Sequence, residues 1–297
     1  MIPGDKMNLV KRFCREEATA YEAYRSLAES VDDNSLRRVL LGLAEQEKKH
    51  MEFWSRVLGE RCKPYSWKLW GLRVLYRVLG PVFVLQLLER GEEDAVRSYR
   101  EFLSYVSGEE REALEEMIRD EESHESELIS RVEDIRVKYM GYIALGLADA
   151  IVEITGVHAG FLGATSNTIM AGIAGLVVGF SAALSMAGAA YLQAKHSTET
   201  KPSTSALVTG ASYIFSVVLL ALPYFLIHVM LSAFLVSLSL ALILTAGFTF
   251  YSVVVQGKSF TREFLESATL MIGTAIGSFL FGQLLGHVFG IENLGVK

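Results

Sequence analysis

The chain has 297 residues, of which 51% are hydrophobic and 21% charged, with a formal net charge of −6. Neither half matches those averages: residues 1–140 hold 28 of the 34 acidic and 23 of the 28 basic side chains. So uneven a distribution excludes a single soluble globule, and no Lys/Arg cluster dominates the acidic half as nucleic-acid binding would require. The pattern predicts an all-α chain with a charged domain at 1–138 and a membrane domain at 139–297.

The N-terminal segment, Met1-Ile-Pro-Gly-Asp-Lys6, leads directly into charged helical sequence without the apolar core of a signal peptide. The first 140 residues are therefore expected not to be exported. Cys14 and Cys62 are the only cysteines. Two thiols form neither a disulfide framework nor a metal knuckle, and a reducing compartment is the simplest assumption.

Apolar periodicity and turn residues predict helices at about 8–30, 33–59, 82–106 and 109–138. Residues 67–80 differ in being amphipathic, basic and aromatic. They suit either a helix lying in the membrane interface or a crossover connection packed on a bundle.

The first and second helix pairs carry the same marks. Glu17-x-x-Ala20-x-x-x-Tyr24 is matched by Glu92-x-x-Ala95-x-x-x-Tyr99, and Glu47-Lys-Lys-His50 by Glu121-Glu-Ser-His124. A Glu and a His three residues apart lie on one helical face and can address one ion. A single such pair arises easily by chance in a Glu-rich helix. Three ligand positions repeated in register, six residues on four helices, do not. Glu17, Glu47, His50, Glu92, Glu121 and His124 together make the ligand set of a di-iron or di-manganese four-helix bundle. Tyr24 and Tyr99 read either as hydrogen-bond donors behind those ligands or as bundle core. Glu16, Glu93, Glu122 and Glu125 read as exposed helical face.

On these residues, positions 5–138 resemble the rubrerythrin branch of the ferritin-like superfamily. The resemblance implies a ferritin-like four-helix bundle whose matching Glu and His positions bind two irons that react with oxygen or peroxide. The four-cysteine rubredoxin-like centre of full rubrerythrins is missing here.

Beyond Tyr139, apolar stretches at about 140–163, 169–193, 206–227, 231–255 and 264–289 are each long enough to span a bilayer. The third and fourth run together without a charge, and they are split near Pro223 because about 50 residues cannot be one span. Lys195, Lys201, Lys258 and Arg262 fall in the loops after spans two and four, whereas Ala164–Thr168 is uncharged. The positive-inside rule then puts the N-terminal domain in the cytoplasm and the C-terminus outside. Gly273/Gly277 and Gly282/Gly286 give span five the spacing of a close helix contact.

Span one carries two acids, Asp149 and Glu153, which share a face with Gly156 and Gly160. Buried acids in an apolar span mark an ion pathway by default. Asp149 lies about 14 Å into the span, and His158 is about 180° around the helix from it. Span two presents the stripe Gly172, Gly175, Gly179, Ala183, Met186 and Ala190. Met186 lies about 10 Å deep, and a thioether beside a carboxylate suits a borderline transition metal better than Mg²⁺ or Ca²⁺. Met in such a stripe is more often packing than ligand.

Residues 139–290 resemble the vacuolar iron transporter family. The resemblance rests on Asp149 in a glycine-rich first span, on Ser185-Met186-Ala-Gly-Ala-Ala-Tyr191 ending the second, and on five spans. Relatives often have Gly where this chain has Ala150, and eukaryotic members have a long acidic insert where Gln193–Ser205 holds only Glu199. The whole chain is similar to the membrane-bound ferritins, a prokaryotic fusion of the two parts. That implies a homodimer in the cell membrane that exports Fe²⁺ or Mn²⁺ by proton antiport. Asp149 and Met186 would bind the ion in transit, Glu153 would carry protons, and a cytoplasmic di-iron domain would collect, sense or oxidise the metal. The alternative is a membrane-anchored diiron peroxidase or ferroxidase, so enzymatic activity stays open.

Overall fold

The protein is described from a computed structural model that covers residues 4–31, 33–124 and 134–290. For Asp5, Glu92, Glu93, Glu122, Ser123 and His124 only the backbone is described. The described residues are helical, with no strand among them, and divide into two units, Met1–Asp134 and Ile135–Lys297.

In the N-terminal unit α1 (Met7–Ser30) packs along α2 (Asn34–Leu58). Asp33 begins α2 by accepting hydrogen bonds from the backbone N–H groups of Ser35 at 2.6 Å and Leu36 at 3.4 Å, which satisfies donors a helix start leaves orphaned. Gly59 ends it at φ 79°, a left-handed cap that glycine takes without steric cost. Then follow α3 (Ser66–Leu79), α4 (Pro81–Phe102), a 3₁₀ turn at Leu103–Tyr105 and α5 (Glu109–His124). Pro81 opens α4, where its missing N–H costs nothing. The core is aromatic: Phe13 and Trp54 meet Tyr99 and Phe102 with ring centroids 4.8–5.9 Å apart.

Residues 67–79 lie in a discrete helix, α3, and of the expected final helix, 109–138, the stretches Glu109–His124 and Ile135–Lys138 (α6) are helical, with 125–133 outside the described residues. One expectation needs correction here. Cys14 and Cys62 are not separate thiols. They form a disulfide with Cα atoms 5.6 Å apart, because α1 and the loop after α2 lie side by side.

The second unit consists of α6 and α7 (Met140–Ala164), α8 (Thr168–Lys195), α9 (Pro202–Leu226), α10 (Met230–Gln256) and α11 (Phe260–Phe289). The last five are long and apolar enough to cross a membrane, the signature of a membrane protein. Helix α7 is held on both sides by glycines. A Cβ on Gly146 would overlap the Thr209 carbonyl of α9. One on Gly163 would overlap the Phe279 carbonyl of α11, and one on Gly282 the Gly160 carbonyl. Such backbone proximity is what small residues permit in membrane helices. Gly282 and Gly286 thus face α7, whereas nothing lies within 4 Å of a Cβ at Gly273 or Gly277. Helix α9 runs through Pro223 to Leu226, and the turn falls at 227–229, where the break between spans three and four was expected.

Candidate metal centre

Three helices deliver the described part of the centre. Glu17 comes from α1, Glu47 and His50 from successive turns of α2, and Glu121 from α5. One ligand atom from each lies within 4.8 Å of all the others. All four residues are buried, Glu47 to 1% exposure. His50 Nδ1 stands 3.0 Å from Glu121 Oε1, and 3.8 Å from both Glu17 Oε2 and Glu47 Oε2. Tyr99 of α4 donates its phenolic hydrogen to Glu17 Oε1. Tyr24 is fully buried in α1.

Burial raises the Glu17 carboxyl above its ordinary value, and the nearby Glu121 charge adds to this, against the lowering effect of Glu47, His50 and Tyr99. Burial alone would depress the His50 imidazolium. The Glu121 hydrogen bond and the charges of Glu17, Glu121 and Asp120 outweigh it, so the pKa rises. Burial and the neighbouring Glu17 carboxylate push the Tyr99 phenol well above its usual value, keeping it a neutral donor.

These residues fit a transition-metal ion. Three carboxylates and an imidazole in a dry site are the donor types that iron and manganese take. Two buried atoms of the cluster, His50 Nε2 and Glu121 Oε2, have no hydrogen-bond partner, a condition that calls for a ligand, a water or an ion. A cavity of about 710 Å³ borders the cluster, lined by Glu17, Glu47 and Tyr99 together with Leu72, Leu75 and Leu88.

Of the six ligands expected from sequence, four converge. The backbone of Glu92 lies in α4 and that of His124 ends α5, but their side chains are outside the described residues. Glu93 and Glu122 have only backbone described, and Glu125 is outside the described residues altogether. Glu16 binds Lys68 at 2.5 Å. Two buried acids escaped the sequence reading: Glu89 of α4, 7% exposed, and Asp134, 8% exposed. The internal repeat hides Glu89, since the corresponding position of the first half is Cys14.

In the membrane unit, Glu153 accepts a hydrogen bond from the Tyr213 hydroxyl of α9, and the same phenol interacts with Asp149. Tyr213 is fully buried and was not singled out from sequence, where it is one tyrosine in an apolar stretch. Asp149 is exposed on a face of α7 that also presents Gly141, Leu145 and Ala148. That face continues into a cavity of about 790 Å³ lined by Glu153, Gly156, Gly160, Thr274, Ser278 and Gly282. Met170 also borders it. Met186 is half-buried and packs on the core that contains Ala150 and Tyr213. His158 points elsewhere: it is fully buried, lies against the Tyr224 ring at a centroid distance of 4.0 Å with the planes tilted by 36°, and has Gly175 against its Nε2.

No family model matches this chain, and no curated protein or solved structure does.

Proposed function

We propose that the protein exports Fe²⁺ or Mn²⁺ from the cytoplasm by proton antiport, with the N-terminal unit acting as a ferritin-like di-iron domain that collects, senses or oxidises the metal. The observation that carries this reading is the convergence of Glu17, Glu47, His50 and Glu121 within 4.8 Å in a chain with five candidate membrane spans. Glu92 and His124 would complete the di-metal set. A bound iron pair would supply one-electron chemistry toward oxygen or peroxide. The chain's own contribution is to hold the ligands dry, to fix Glu17 through Tyr99, and to release protons from Glu17 and His50 as a cation enters.

In the membrane unit, Asp149 and Met186 bind the ion in transit and Glu153 carries the proton, supported by the Tyr213 hydroxyl that both acids approach. Asp149 is exposed on a single chain, and a carboxylate inside an apolar span is costly against lipid. That favours a homodimer in which the Asp149 face of α7 meets a second copy or a water-filled path. The lysine-bearing loops favour a cytoplasmic N-terminal unit in the cell membrane.

The test is ion flux in proteoliposomes with internal pH recorded. Uptake of Fe²⁺ or Mn²⁺ from the side bearing the N-terminal unit, with protons moving the other way, is the expected result. Metal oxidation without any flux would favour a membrane-anchored ferroxidase or peroxidase.

A further inference from the structure

Helix α3 is the anomaly of the N-terminal unit. Nine of its 14 residues are hydrophobic, yet none is buried. Leu69, Leu72, Leu75, Tyr76 and Leu79 are half-buried on the side that packs on α1 and α4. The opposite side shows Trp67 at 70% exposure, Trp70 at 71%, Val74 at 41% and Val78 at 65%. Their spacing of three, four and four makes one stripe about 16 Å long at 1.5 Å per residue. Elsewhere among the described residues of this unit, only Leu41 is a comparably exposed large apolar side chain. An apolar stripe of this size marks an interaction surface.

The charge around the stripe says what covers it. Residues 61–88 contain Arg61, Lys63, Lys68, Arg73 and Arg77 and no acid, in a half of the chain where acids outnumber bases 28 to 23. At 100° per residue Arg73 and Arg77 run along one edge of the stripe. Arg73 is anchored by donating to Ser26 Oγ at 3.1 Å, and Lys68 by its pair with Glu16. Tryptophan at one end, aliphatics along the length and guanidinium groups at the edge make the composition of a helix lying in a lipid interface. A second copy stacked on this face would set cations against cations. Anionic headgroups would instead complement them.

We propose that the Trp67–Trp70–Val74–Val78 face of α3 docks on an anionic bilayer surface, holding the N-terminal unit against the membrane in which the chain resides.

The tryptophans make the test direct. The chain has three, Trp54, Trp67 and Trp70, and none lies in the five spans. Trp54 is fully enclosed in the core. The full-length protein is placed in nanodiscs of mixed neutral and anionic lipid, with and without brominated acyl chains. Brominated lipid should lower tryptophan emission roughly twofold, two of the three emitters being at the interface, while aqueous iodide has little effect. The Trp67→Phe, Trp70→Phe variant should lose the brominated-lipid response, and Arg73→Gln, Arg77→Gln should require a higher anionic fraction to show it. Emission unaffected by brominated lipid would overturn the proposal. In that event, quenching by iodide would mean that the face is bare, and protection from both quenchers that protein covers it.

Discussion

His50 Nδ1 lies 3.0 Å from Glu121 Oε1, so the two halves of the internal repeat meet at one buried point. A histidine from the first Glu-x-x-His pair faces a glutamate from the second, which is the arrangement a shared ion would require. Removing the imidazole should therefore weaken the centre. His50→Ala is expected to lower bound iron from about two per chain to about one or fewer, measured by elemental analysis of the purified protein. Full occupancy of two irons in a His50→Ala, His124→Ala variant would remove both histidines from the ligand set.

Tyr99→Phe isolates the hydroxyl that Glu17 accepts from. Phe keeps the ring against Phe13 and Trp54, so packing survives while a buried carboxylate loses its donor. The loss should cost about 1–3 kcal/mol of stability in metal-free protein, read from denaturant unfolding. A change within measurement error would mean that Glu17 is held by its other neighbours alone.

The stability of the metal-free unit should fall as pH rises. His50 has a folded pKa raised above 6.5, so its contribution is fully present below that value and is lost as pH passes through the folded pKa. Glu17 is also raised, from 4.5, so the folded state again binds more protons than the unfolded one and the slope has the same sign. Metal competes with those protons, so the stabilisation from added Fe²⁺ or Mn²⁺ should grow over the same range. Thermal unfolding of chelated and metal-loaded protein between about pH 5 and about pH 8 measures both effects. A metal-free unit that gains stability with pH would contradict the assignment of these shifts.

Much of this was legible in advance, and the misses have physical causes. Helix periodicity and the repeat located Glu17, Glu47, His50 and Glu121 because a ligand needs a fixed face as well as a residue type. Glu89 was not legible, since one acid in an acid-rich helix carries no pattern. Tyr213 was missed because its role comes from α9 crossing α7, a tertiary fact. The break expected near Pro223 falls just beyond it, at 227–229. A membrane helix tolerates an interior proline when its neighbours pack closely, and Pro223 is buried among them. The Cys14–Cys62 contact depends on the loop after α2 folding back beside α1, which spacing alone could not give.

That disulfide and the charge rule pull in opposite directions on topology. Stable bridges favour oxidising compartments, whereas Lys195, Lys201, Lys258 and Arg262 favour a cytoplasmic N-terminal unit. We weigh the four loop charges above a single bridge, which cytosolic reductants can open. Protease added outside sealed right-side-out vesicles should leave the N-terminal unit intact. Its digestion from outside would invert the proposed direction of transport.

The α7–α11 contact gives a packing test independent of metal. A Cβ at Gly282 overlaps the Gly160 carbonyl, so Gly282→Ala must separate two backbones. The expected cost is about 1–3 kcal/mol, seen as a lower unfolding temperature of the membrane unit in detergent with metal content of the N-terminal unit unchanged. An unchanged unfolding temperature would mean that the two helices separate without cost.

The central claim is that Asp149 carries metal through the membrane unit. Asn is nearly isosteric, so Asp149→Asn preserves packing but loses the negative charge that offsets dehydration of a divalent cation and the proton exchanged for it. The decisive measurement is Fe²⁺ and Mn²⁺ uptake into inside-out vesicles under an imposed proton gradient, with metal content of the N-terminal unit assayed in the same preparation. The account predicts that flux drops to less than about a tenth of the unsubstituted protein's while the N-terminal unit stays fully loaded. Undiminished flux in Asp149→Asn would contradict it.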